Sequence, residues 1–97
     1  IVGGVRVTET AADLALLAGA LSSLKSRALP LDTVVFGEVG LGGEIRPVQN
    51  GQDRIREAAK HGFKRVVAPK ANVPKRRTDG MQVIGVSRIT EAFDALF

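Results

Sequence analysis

The segment Val34-Val35-Phe36-Gly37-Glu38-Val39-Gly40-Leu41-Gly42-Gly43-Glu44-Ile45-Arg46-Pro47 decides the fold. An apolar, β-branched run enters a glycine cluster, and a second short run ends at proline. That order reads as a buried strand, a tight turn and a return strand. Gly40, Gly42 and Gly43 are the positions expected to take positive φ. Pro47 has no N–H and ends the ladder. This hairpin is expected to nucleate a sheet that carries one apolar helix from before it and one basic helix from after it.

Upstream, Ile1 to Val7 reads as a strand weakened by its glycine pair. A helix is expected over Ala11 to Lys25. Thr10 and Asp13 form a capping-box-like start, and Asp13 suits the positive end of the helix dipole. Leu14, Leu17, Ala18, Leu21 and Leu24 make one stripe, widened by Leu16 and Ala20. A helix so apolar on most faces is expected to be buried on most sides. Lys25 and Arg27 suit its carboxyl end, and Ala28 to Asp32 is a connector with Pro30.

Downstream, Asn50 is the expected cap of a helix over Gln52 to His61 that stops at Gly62. Its Ile55, Ala58 and Ala59 face inward with Phe63, and Arg54, Arg56 and Lys60 face out. Arg65 to Ala68 is a strand ended by Pro69, Lys70 to Asp79 a basic loop with Pro74, and Met81 to Val86 another strand. Ser87 is the expected cap of a last helix, with Ile89, Ala92, Phe93 and Leu96 inward. The order β-α-β-β-α-β-β-α predicts an α+β fold or an α/β fold, with a mixed sheet in either case.

The chain has 97 residues, which sets the scale of a single domain burying roughly 60–65% of its unfolded surface. The absence of cysteine rules out disulfides and thiolate metal sites. The longest apolar run, Leu14 to Leu21, is too short for a membrane span of ~20 residues. The start at Ile1 rather than Met reads as an excised piece of something longer. Ile1-Val2-Gly3-Gly4 looks like the mature start of a trypsin-like protease, but His61 is the lone histidine and nothing else fits.

Charge is unevenly distributed. From Arg46 to Arg77, ten cations stand against Asp53 and Glu57, a net +8 in a chain whose total is +4. That asymmetry predicts a basic face with Arg54, Arg56, Lys60, Lys64, Arg65, Lys70, Lys75, Arg76 and Arg77 as its candidates. No Trp or Tyr interleaves them, so polyanion contact is expected to follow a nucleic-acid backbone rather than stacked bases.

The run Phe36-Gly37-Glu38-Val39-Gly40-Leu41-x-Gly43-Glu44-Ile45-Arg46-Pro47-Val48, then Arg54 and Glu57-Ala58-Ala59-Lys60-x-Gly62-Phe63-Lys64-Arg65, resembles the C-terminal domain of the bacterial RadA (Sms) family. So does Gly3-Gly4-Val5-Arg6-Val7-Thr8-Glu9-Thr10 with Ala12-Asp13-Leu14-Ala15. The resemblance implies a Lon-protease-like domain (ribosomal protein S5 domain 2-like) whose initial strands are missing here. It implies a parent recombination and branch-migration ATPase with ATP, Mg²⁺ and zinc sites upstream of this piece, and no cofactor in the piece itself. It also implies a hexameric ring, DNA contact (single-stranded or branched), no membrane, and a cytoplasmic, nucleoid-associated location.

Lon-type proteases use a Ser–Lys dyad. By resemblance, the serine falls at Ala11 and the lysine at Gln52, so neither nucleophile nor base is present. The glycine turn leads into a strand rather than a helix, which is the wrong context for a phosphate cradle. Glu38 and Glu44 read as solvated or Arg-paired carboxylates. His61 reads as a helix-end surface residue, and Ser22, Ser23, Ser26 and Ser87 as helix-end groups. The expected function is a non-catalytic accessory domain giving sequence-independent DNA binding and ring scaffolding. A pure oligomerisation scaffold is the alternative, and a residual peptidase the distant one.

Overall fold

The computed structural model describes residues 10–76 and 80–97. The strand expected over Ile1 to Val7 and the candidate Arg77 lie outside them. A 3₁₀ turn, Thr10–Ala12, runs into helix α1, Asp13–Lys25. Strands β1 (Thr33–Val35), β2 (Glu38–Val39) and β3 (Ile45–Arg46) follow, then helix α2 (Gly51–Lys60), β4 (Arg65–Pro69), a 3₁₀ turn Lys70–Asn72, β5 (Gln82–Val86) and helix α3 (Ile89–Leu96). The mixture of helix and strand agrees with an α+β protein.

The apolar run at the centre is two strands, not one. β1 enters a three-stranded sheet of order β1-β4-β5, with both pairings parallel. β2 and β3 form a separate antiparallel ribbon with Val39 opposite Ile45. The division falls at Gly37. Its N–H donates to Ala11 O at 2.8 Å and its carbonyl accepts from Leu14 N at 3.0 Å. The start of α1 therefore takes the backbone groups that a continuous strand would offer a neighbour. The single mixed sheet expected from sequence is thus, among the described residues, a parallel sheet and a detached hairpin. Of the three turn glycines, Gly43 alone takes positive φ.

Side-chain alternation along the parallel strands builds two cores. Val34, Val66, Ala68 and Val83 point to one face, where Ile55 and Ala58 of α2 cover them with Phe36 and Phe63. Val35, Val67, Ile84 and Val86 point to the other, where they meet Leu14 and Ala18 of α1 and Ala92 and Leu96 of α3. The result is three layers, helix on sheet on helix pair.

α1 is less enclosed than its composition predicts. Leu14 and Ala18 are fully buried, but Leu17 is 39% and Leu24 84% exposed. The helix packs through one side, so the outer half of its apolar stripe faces outward among the described residues.

The helix ends explain their boundaries, though not by the caps expected. Thr10 is not the N-cap of α1. The Asp13 carboxylate accepts from Val39 N at 3.4 Å, and Ala12 occupies the N-cap position. Asn50 is the N-cap of α2 by position, in left-handed conformation, with no side-chain cap bond. At α3 the N-cap is Arg88 rather than Ser87, and Glu91 Oε1 accepts from the N–H groups of both, each at 3.0 Å. The end of α2 is as expected. Gly62 takes φ +84° and donates to Ala59 O, and Phe63 N donates to Ala58 O, a Schellman motif.

Candidate nucleic-acid interface

Strand order decides which charged residues share a side. The chain moves from β1 to β4 to β5 in one direction across the sheet. Two right-handed crossovers taken in the same direction lie on the same face. The first crossover contains α2. The second joins the end of β4 to the start of β5 and contains the expected loop Lys70 to Asp79; it has the length a parallel connection requires. Packing agrees. A Cβ at Gly85, on the α2 face, would meet Val73 Cγ2 at 2.9 Å and Lys70 Cα at 3.2 Å.

Within the described part of the second crossover, Asn72 lies against Gly51 at the start of α2. α2 brings Arg54, Arg56 and Lys60, and the described part of the crossover brings Lys70, Lys75 and Arg76. These six cations face Asp53 and Glu57 in the same layer. The opposite layer, α1 and α3 with their flanking residues, holds Lys25, Arg27 and Arg88 against Asp13, Glu91 and Asp94. Among the described residues of these two layers, the net basic charge thus lies on the α2 side of the sheet.

Individual candidates differ in how freely they are presented. Lys60, Lys64, Lys70, Lys75 and Arg76 are exposed. Arg56 is exposed and pairs with Asp53 one turn earlier. Arg54 is half-buried. Arg65 is committed to the fold: half-buried, it donates from Nη2 to Ala95 O in the last turn of α3 at 2.8 Å, where a cation complements the helix dipole. Arg46 is flanked by Glu38 and Glu44, each at 3.6 Å, so those carboxylates are Arg-paired. His61 is exposed, with Nε2 3.2 Å from Glu57 Oε1.

The crossover is not a free loop. Asn72 accepts from Val48 N through Oδ1 at 2.8 Å and donates to Val48 O through Nδ2 at 3.0 Å. Its side chain thereby pairs with the backbone just before α2. In the sequence, the sole signal for this role is a short amide side chain between Pro69 and Pro74.

The positions matched to the Lon dyad lie in different elements. Ala11 is 4% exposed in the 3₁₀ turn before α1, and Gln52 is exposed in the first turn of α2. Among the described residues no group of three or more His, Cys, Asp or Glu side chains gathers as metal ligands would. No helix there is long and apolar enough to cross a membrane.

Residues 3–72 match the family model described as subunit ChlI of Mg-chelatase, and the chain belongs to that family. It is 64% identical over 92 residues, 95% of its length, to the DNA repair protein RadA of Escherichia coli. It is 60% identical to RadA of Pseudomonas aeruginosa and 46% identical to RadA of Aquifex aeolicus, both over its whole length. The RadA resemblance seen in the motifs is therefore shown along the chain. The chain spans about a fifth of the length of these relatives: 20% for the E. coli protein and 21% for the other two.

Proposed function

We propose that this chain is a non-catalytic, Lon-protease-like accessory domain of a RadA-type recombination and branch-migration ATPase, and that its basic layer binds DNA through the phosphate backbone. The observation that supports this reading is that α2 and the described part of the second crossover, with their cations, lie on one side of the sheet. Lys60, Lys70, Lys75 and Arg76 are the principal contacts, with Arg54, Arg56 and Lys64 beside them. Arg65 serves mainly to hold α3. The four Phe residues belong to the two apolar clusters, which leaves backbone contact as the mode of binding. Peptide hydrolysis has no support, since alanine supplies no nucleophile and an amide no base. On this reading ATP, Mg²⁺ and Zn²⁺ are bound by other parts of the parent protein, in the bacterial cytoplasm.

A second reading, a scaffold between protomers of a ring, draws on the exposed apolar side of α1 at Leu17 and Leu24. The two are separated by changing Lys70, Lys75 and Arg76 together to Ala. DNA affinity measured by anisotropy and oligomeric state measured by sedimentation are followed in parallel. The DNA reading expects affinity to fall with assembly unchanged; loss of assembly with DNA binding intact supports the scaffold.

A further inference from the structure

We infer that Asn72 is the positioning residue of the basic layer: its doubly bonded side chain sets the offset between the crossover cations and α2, and DNA affinity depends on that offset. The inference rests on the DNA-binding reading above and adds to it the element that pre-organises the site.

An amide side chain that accepts from one backbone N–H and donates to the carbonyl of the same residue imitates a strand neighbour. Val48 N requires an acceptor and Val48 O a donor, so the two bonds fix which end of the amide is which. The pair is half-buried, and Val48 itself packs in the α2 core. Asn72 is therefore tied to a rigid point, not to another surface loop.

Neighbouring residues are shaped to the tie. A Cβ on Gly51, the first residue of α2, would overlap the Asn72 amide. The helix thus begins with a residue whose missing side chain leaves room for Asn72. One residue further, Val73 seats against Gly85 of β5. The crossover is held at Asn72 to the backbone just before α2 and at Val73 to the sheet, so Lys70, two residues before Asn72, and Lys75, three after, leave a fixed base.

The consequence is electrostatic. Phosphates recur at set intervals, and cations held at a constant spacing engage several at once without first being ordered. Without the tie, the crossover cations keep their charge but lose their register with Arg56 and Lys60. The Asn72 amide faces the protein, so its effect on DNA is exerted through the lysines and arginine around it.

The test is a double-mutant cycle on the intact chain, read by anisotropy of a labelled duplex oligonucleotide against salt, well below the melting midpoint of each variant. Asn72→Ala is expected to weaken binding about three- to tenfold, the scale of one hydrogen bond, since only part of the lost tie is felt at the DNA, and to flatten the log–log salt slope by about one unit. Gly51→Ala, which displaces the amide without removing it, is expected to act alike. In the Lys70→Ala, Lys75→Ala, Arg76→Ala background, Asn72→Ala is expected to change nothing further. Should Asn72→Ala not fold, Asn72→Ser keeps a hydroxyl near Val48 and carries the same test with a smaller loss. Wild-type affinity in folded Asn72 variants, or the same loss in both backgrounds, overturns the inference. If the triple change alone leaves DNA affinity untouched, the DNA reading fails first and the inference with it.

Discussion

The guanidinium of Arg88 donates from Nη2 to the carbonyl of Gly42 at 2.7 Å, joining the end of β5 to the tip of the hairpin. Two backbone bonds run beside it, Ile89 N to Gly43 O at 2.9 Å and Ile45 N to Ser87 O at 2.8 Å. The β2–β3 ribbon thus hangs on the entrance of α3 and leaves the parallel sheet to β1, β4 and β5. Two short strands alone are marginal in water, so their order depends on this docking. Arg88→Ala is expected to lower unfolding free energy by about 0.5–1.5 kcal/mol. Urea unfolding checks this, and amide exchange should show the loosening first in the hairpin.

A second pair of expectations separates the two sides of α1. Leu14 has no exposed surface and lies at the centre of one core. Leu14→Ala should cost about 2–5 kcal/mol through lost burial and the cavity left behind. Leu17→Asp, at a residue 39% exposed, should cost well under that, about 1 kcal/mol or less. Matched denaturation midpoints for the two variants would refute the one-sided packing of the helix.

A stabilising change is available where α1 ends. Ser26 takes φ +52°, its N–H donates to Ser23 O, and Arg27 N donates to Ser22 O. This is a Schellman arrangement with a residue that has a Cβ at the left-handed position, which costs a non-glycine residue roughly 1–2 kcal/mol. Ser26→Gly should raise the melting temperature, with the gain reduced by the added freedom of glycine in the unfolded chain. An unchanged or lower melting temperature would contradict this account of the cap.

No peptidase activity is expected, and Ala11→Ser with Gln52→Lys should not create a useful one. Ala11 is buried and its carbonyl is held by Gly37 N, and a dyad also requires oxyanion donors and a placed substrate. Turnover of casein by the unmodified chain, surviving repurification and abolished by a point change within it, would overturn this.

Legibility in the sequence followed the range of the interactions that fix each element. The Ile55, Ala58 and Phe63 spacing with the stop at Gly62 placed α2. Pro69 ended β4, and the Ile89, Ala92, Phe93 and Leu96 repeat placed α3, since these are local signals. The division at Gly37 was hidden because Val34 to Val39 looks continuous; it is imposed by the start of α1, more than twenty residues away. Leu17 and Leu24 read as core because composition does not reveal which side of a helix has a partner. The basic segment was visible as charge. That α2 and the crossover form one layer followed only from the strand order β1-β4-β5, which is not written locally. Asn72 was missed because its partner, Val48, is defined by that same long-range path.

The central claim is that the basic layer binds DNA through phosphates, and the salt dependence of the affinity tests it most directly. A cluster of this size should engage roughly 3–5 phosphates, giving a log–log slope of about −3 to −4 on duplex DNA, alike for unrelated sequences, with weak binding in the range of about 10⁻⁴ to 10⁻⁶ M. Changing Lys70, Lys75 and Arg76 together to Ala should flatten that slope by up to about three units and leave the melting temperature nearly unchanged. A slope and affinity unaltered by the triple change would contradict the account.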